Sequence, residues 1–218
     1  MEIFKILSVL LCYPEQDLID AVPELVARLE KLKIDPNFLS PLLKELGEQD
    51  LLVLQENYVN IFDRSRNHSL HMFEHIHGED RIRGQALVDL MNEYKNHGFE
   101  LSVIDELPDY LPLFLEYLSV CEKKQAIELL TSAIDVIGHI GKKLQETKSA
   151  YIGIFSLLEQ YSTAKPVPLV TPPIRDMDEA LEKFGPNIEG VEPLLQPNAC
   201  KICPTYDQNK GGSHGLSR

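Results

Sequence analysis

Apolar residues recur every three or four positions along most of this chain, the spacing that predicts helices. Ile3, Leu7, Leu10 and Leu11 share one face of a first segment. Beyond the Tyr13-Pro14 break, Leu18, Val22, Leu25, Val26 and Leu29 form the stripe of a second. Pro36 and Pro41 punctuate a third, which carries Leu39, Leu42, Leu43 and Leu46 on one side and is ended by Gly47. Leu51, Leu54, Tyr58, Ile61 and Phe62 keep the same period. Ala86, Leu87, Leu90, Met91 and Tyr94 define another helix, opened by Asp80 and stopped near Gly98 by a glycine at C′. Asp105 to Asp109 reads as a turn, with Asp109 placed to cap a helix from Tyr110 to Val120 and Pro112 tolerated in its first turn. Two more helices are predicted, Glu122 to Thr147 with Ile127, Leu130, Ile134, Ile137 and Leu144 on its stripe, then Lys148 to Tyr161. No stretch alternates with period two and no repeat is evident. The expected class is all-α, a multi-helix bundle with short connections.

The pattern changes after Tyr161. Eight of the fourteen prolines lie between Pro166 and Pro204 and interrupt every stretch that could build a helix except Asp176 to Phe184. The chain therefore divides into a helical domain over residues 1–161 and a Pro-rich tail over 162–218, extended or partly disordered, with one short helix.

Charge narrows the partners. With 34 acidic against 21 basic residues among 218, the net charge is -13, so a nucleic-acid backbone is repelled over most of the surface and basic partners are attracted. The longest apolar run, Ile6 to Leu11, is too short to cross a bilayer and lacks the cleavage site of a secretory signal. A buried first helix and a cytoplasmic protein without membrane insertion are the expectation. Cys12 and Cys121 sit in apolar helical surroundings, in keeping with a reducing compartment.

Most of the chemistry-bearing residues gather between Tyr58 and Gly84, where His68, His71, His75 and His77 fall within ten positions amid acids and arginines. His71 and His75 are spaced to share a helical face, and with His68, Glu74 or His77 they offer a zinc set, although the order that couples two histidines to a general base is absent. Hydrogen bonding or peptide contact is the alternative, and histidines near neutral pKa also serve as pH-sensitive contacts. Cys200 and Cys203 form a lone CxxC without the βαβ setting of a redox motif or the two further ligands of a zinc site. Asp105, Glu106 and Asp109 resemble paired catalytic carboxylates but stand at a capping turn, where they read as helix-terminal partners or as charge aimed at a cation. Gly78 and Gly84 are isolated, no phosphate loop or nucleophile elbow appears, and no enzyme, metal or cofactor is expected.

Three strings together carry a resemblance: Tyr58-xxx-Phe62-Asp63-Arg64; the run from His71 through Phe73-Glu74-His75-Ile76-His77-Gly78 to Gln85-Ala86; and Glu106-Leu107-Pro108-Asp109-Tyr110-Leu111-Pro112-Leu113-Phe114-Leu115-Glu116. Over about the first 160 residues the chain resembles the NarJ-type assembly chaperones of respiratory nitrate reductase, within the redox-enzyme maturation chaperones. The resemblance implies an all-helical, non-catalytic protein that binds the N-terminal segment of the apo catalytic subunit and holds it competent for molybdenum-cofactor insertion before membrane attachment. A different molybdoenzyme client is the variant reading, and cofactor-delivery proteins and a second copy of the chain are the other partners it leaves open. Matching positions place an apolar groove at Tyr58, Phe62, Phe73, Leu107, Pro108, Tyr110 and Phe114, with Asp63, Asp109 and Glu116 as charge partners. Glu74, His75 and His77 belong to the same contact segment or, with Gly78, to a tight turn. The aromatic positions are equally suited to the core. Arg64, Arg81 and Arg83 are placed either to meet the client or to pin the segment through neighbouring acids.

Overall fold

The first helix, α1 (Glu2–Leu10), buries Ile3, Phe4, Ile6, Leu7 and Leu10 along one side, and its principal partner is α7 (Leu111–Val120). In this computed structural model, residues 1–77, 81–99 and 106–169 are described, with the side chains of residues 77, 81 and 82 outside that description. The predicted short helix from Asp176 to Phe184 and the Cys200/Cys203 pair fall outside the described residues, as do Gly78, Asp80 and Asp105. The described elements are α-helical throughout, apart from a π-helical turn, one 3-10 turn and a single antiparallel bridge between His71 and Tyr110. The all-α expectation holds.

After α1 come α2 (Gln16–Lys31) and α3 (Pro36–Glu48), which pack on each other. Pro36 opens α3, where its missing N–H costs nothing, and the Asp35 carboxylate accepts from Asn37 N at 3.0 Å. Next are α4 (Leu51–Tyr58), the π-helical turn Val59–Asp63, the 3-10 turn Arg66–His68 and the six-residue α5 (Met72–His77). α6 (Arg81–Asn96) leads by way of Gly98, at φ +71°, to the segment before α7. The last three helices are α8 (Lys123–Ser132), α9 (Ile134–Glu146) and α10 (Ile152–Tyr161).

The core is an aliphatic and aromatic cluster shared by α1, α3, α7, α9 and α10. The closest approach is at Gly153 of α10, where a methyl group would run into the Phe38 carbonyl of α3. No helix among the described residues is long and apolar enough to cross a membrane.

Several boundaries differ from expectation; Gly47, expected to end α3, lies within it. The segment expected as one helix from Glu122 to Thr147 is two, broken at Ala133 (φ -95°, ψ 0°), whose N–H is shared between the Leu129 and Leu130 carbonyls. The break lets α8 bury Ala126 and Leu130 while α9 turns Ile134, Ile137, Gly141 and Leu144 inward, α9 packing chiefly on α10. The helix expected from Lys148 starts only at Ile152. Lys148 lies at φ +55°, Ser149 N bonds Leu144 O at 3.0 Å, and α9 ends in a Schellman turn; Lys33 closes α2 in the same way. Asp109 does not cap α7. Tyr110 stands at that N-cap position with no side-chain capping bond, and the Asp109 carboxylate is turned to another helix.

Candidate functional site

The turn Leu107–Tyr110 is where the strings singled out in the sequence converge. Tyr110 N bonds back to Leu107 O at 3.1 Å, and Leu111 N donates to Leu70 O at 2.8 Å, tying the turn to the strand-like stretch before α5. Asp109 is fully buried there. Its backbone carbonyl accepts from Met72 N at 3.0 Å and its Oδ2 from Phe73 N at 3.0 Å, so it satisfies the first two amides of α5. A buried carboxylate needs positive charge as well as donors. His71 Nδ1 stands 3.5 Å from Asp109 Oδ1, and Arg83 Nη2 lies 3.9 Å from Oδ2 while donating to Glu74 Oε1 at 3.3 Å. The nearby Asp109 carboxylate holds His71 above the ordinary imidazole range, against the opposing effect of burial.

The histidines of this run have separate duties. His75 Nε2 donates to Ser69 O at 2.9 Å and its ring faces His139 at 5.5 Å; burial lowers its pKa, and the neighbouring histidines push the same way. His71 and His75 therefore engage different partners, one acidic and one a carbonyl. Among the described residues no three His, Cys, Asp or Glu side chains gather as a metal set.

Beside this hub lies a cleft of about 250 Å³ lined by Tyr13, Tyr58, Phe62, Asp63, Ser69, Leu70, His71, Glu106 and Tyr110. The π-helical turn builds one wall. Its Arg64 N reaches back five residues to Val59 O at 3.0 Å, and within the turn Phe62 goes inward while Asp63 stays in solvent. The Tyr58 hydroxyl donates to Leu11 O at 2.8 Å and lies 3.2 Å from the Tyr110 hydroxyl, with the Tyr13 ring edge-on to Tyr58 at 5.5 Å. Burial pushes the Tyr110 hydroxyl up to about 12, so it stays protonated as a donor. Asp63 and Glu106 have no ion-pair partner among the described residues, so two carboxylates line this aromatic cleft with no cation bound to them there.

Of the residues expected from sequence, Tyr58, Phe62, Asp63 and Tyr110 meet at this cleft. Tyr58 and Phe62 are nevertheless mostly core, packed edge-to-face against Tyr151. Phe114 is buried in α7, and Pro108 is buried with its carbonyl accepting from the Tyr94 hydroxyl at 2.7 Å. These two hold the turn and do not line the cleft. Phe73 is half-buried on the core, Glu74 is paired with Arg83, and Glu116 is paired with Lys5. Leu107 is 41% exposed, and the His77 side chain lies outside the described residues. Sequence reasoning names Glu106, as a helix-terminal partner or as charge aimed at a cation, but misses Tyr13, Ser69 and Leu70. Only Tyr13 carried a signal, as an aromatic placed at a helix break beside a proline.

The profile of the nitrate reductase delta subunit family matches residues 16–156. The chain is 41% identical over 157 residues to the nitrate reductase molybdenum cofactor assembly chaperone NarJ of Escherichia coli K12, a match covering 70% of this chain and 66% of that protein. It is 38% identical over 160 residues to NarW of the same strain, covering 73% and 68%. A solved structure from Archaeoglobus fulgidus, described as a redox enzyme maturation protein, superposes with a TM-score of 0.56 at 21% identity over 73% of this chain and 91% of that one, a likeness of fold.

Proposed function

Since the chain belongs to the nitrate reductase delta subunit family, we propose that it is an assembly chaperone whose client is the apo catalytic subunit of a respiratory nitrate reductase, held through its N-terminal segment until the molybdenum cofactor is in place. The observation that carries this reading is the acidic aromatic cleft between the π-helical turn and the Leu107–Tyr110 turn. At about 250 Å³ it is too small for a helix, whose diameter is about 10 Å, and has room for one or two side chains. A client helix therefore lies across the mouth, puts apolar anchors against Tyr13, Tyr58 and Tyr110, and points a basic residue at Asp63 and Glu106. Two buried anchors supply about 3–6 kcal/mol. Micromolar affinity needs about 8 kcal/mol. Charge complementarity and contacts along the helix must supply the difference, so both parts of the cleft are required.

Binding here needs no catalysis. The chaperone favours the open, cofactor-free conformer of its client and releases it when loading removes that conformer. The test is calorimetric titration with a synthetic peptide of the first few tens of residues of the nitrate reductase catalytic subunit from the same source, using the unaltered chain, Tyr13→Ala and Asp63→Asn. Saturable binding weakened about tenfold or more by each substitution is expected, the size of one lost anchor or charge contact. Equal affinity for all three proteins would remove the cleft from the account. Absence of binding, with saturable binding of the equivalent peptide from a different molybdoenzyme, would change the client.

A further inference from the structure

Residues 162–169 leave the end of α10 as an extended strap laid over α8 and α9, and their contacts have the character of a bound peptide. Thr163 N donates to Thr131 Oγ1 at 3.2 Å, and Val167 N donates to Asp135 Oδ1 at 2.7 Å. Between these anchors the Pro166 ring fills the notch left by Gly138; a Cβ on that glycine would lie 2.6 Å from Pro166 Cγ. The break at Ala133 sets up this surface, since Thr131 lies before it and Asp135 after it. Most of the strap faces solvent, Val167 at 62%, while Pro166 and Leu169 reach inward.

The groove has what recognition of an extended proline segment requires: an acceptor for the one N–H that lies between two prolines, a glycine notch for a pyrrolidine ring, and a hydroxyl for the leading amide. Prolines fix φ in advance, so little conformational entropy is lost on docking. Pro166 and Pro168 also leave the outer edge of the strap with few donors, which excludes a further strand pairing against it. Beside the strap the groove continues as a cleft of about 450 Å³ bounded by Gly141, Lys142, Ile152, Ser156 and Glu159 on one side and by Pro166–Leu169 on the other. The strap lies beyond residues 16–156 that match the family.

We propose that the groove formed by α8, α9 and α10 is a second peptide-recognition surface, separate from the client cleft, that takes an extended Pro-x-Pro segment and is occupied in cis by residues 162–169. A partner bearing such a segment must displace the strap, so the resident segment keeps the surface closed. The test uses the full chain carrying Val167→Pro, which removes the N–H given to Asp135 and leaves the groove untouched. Amide exchange at Thr163 should accelerate at least tenfold. A fluorescent peptide of residues 162–169 should then bind the variant saturably. Titration must extend into the millimolar range, because the tethered strap enjoys an effective concentration of that order. The unaltered chain should bind the peptide at least tenfold more weakly, and adding Gly138→Ala to the variant should abolish binding while helix content is kept, alanine being the better helix former. Pro166→Gly, which empties the Gly138 notch and leaves the groove untouched, provides a second way to free the strap if Val167→Pro disturbs folding. Unchanged exchange at Thr163 in both variants, no binding to a freed groove, or binding that ignores Gly138→Ala would each overturn the proposal.

Discussion

The interior built by α1, α7, α9 and α10 and the hub around Asp109 are both buried, but they are held by opposite means. In the first, Phe4, Leu7, Leu115, Ile137, Ile140, Ile154 and Phe155 are all fully enclosed, and a polar intruder such as Ser8 is satisfied by donating to Pro112 O at 2.7 Å. In the second, one carboxylate caps α5 and faces a histidine and an arginine. Asp109 Oδ1, His71 Nδ1 and Arg83 Nε lack hydrogen bonds of good geometry among the described residues. The first region derives its stability from area removed from water and has little to adjust. The hub depends on charge states and leaves bonding capacity unused, so it can respond to pH or to a ligand.

Substitutions should separate the two regions. The largest loss is expected in the apolar interior: Phe155→Ala should cost about 3–5 kcal/mol in urea unfolding, by the same amount at every pH. Asp109→Asn keeps an acceptor for Phe73 N but removes the charge, and should cost about 1–3 kcal/mol. Unlike the core substitution, it should also change the pH profile.

That profile follows from histidines shifted in opposite directions, His71 upward and His75 with its neighbour His139 downward. His71 is raised, so its contribution is complete below the ordinary imidazole value of about 6.5 and is lost as pH climbs through its folded pKa. His75 is lowered. Below about pH 6.5 the unfolded chain takes up a proton that the folded chain refuses, and stability falls with pH. Urea midpoints measured from pH 5 to pH 9 should show His71→Gln flattening the alkaline side and His75→Gln flattening the acid side. Asp109→Asn should reproduce the His71 result; if it leaves the alkaline side unchanged, the pair is not coupled. The smallest effect is a gain: Lys148→Gly relieves a left-handed residue and should stabilise by about 0.5–1 kcal/mol, the Cβ penalty less the added unfolded-state entropy.

The helices were legible because periodicity reports burial directly, and Pro36 marked the start of α3. What escaped was non-local or carried by an unremarkable residue. Ala133 breaks a helix although alanine favours one, since the break is imposed by two faces that must pack in different directions. Lys33 and Lys148 take the left-handed position usually given to glycine. For Asp109, local spacing pointed to α7, whereas tertiary contact gave its carboxylate to α5. The cleft was half legible: Tyr58, Phe62, Asp63 and Tyr110 lay in recognisable strings, but helical spacing does not separate an aromatic that lines a cleft from one that fills the core. Ser69 and Leu70 gave no sign because their role depends on two turns meeting.

The bond from Phe73 N to Asp109 also sets an order of events during synthesis. α5 has six residues, too few to persist alone, and its capping carboxylate lies 36 positions downstream. While the chain grows, this helix must wait until the Leu107–Tyr110 turn has left the ribosome. The stretch that carries His71 and His75 therefore takes shape only after α6 has been made, so a nascent chain halted before Asp109 can have its earlier helices but not the hub.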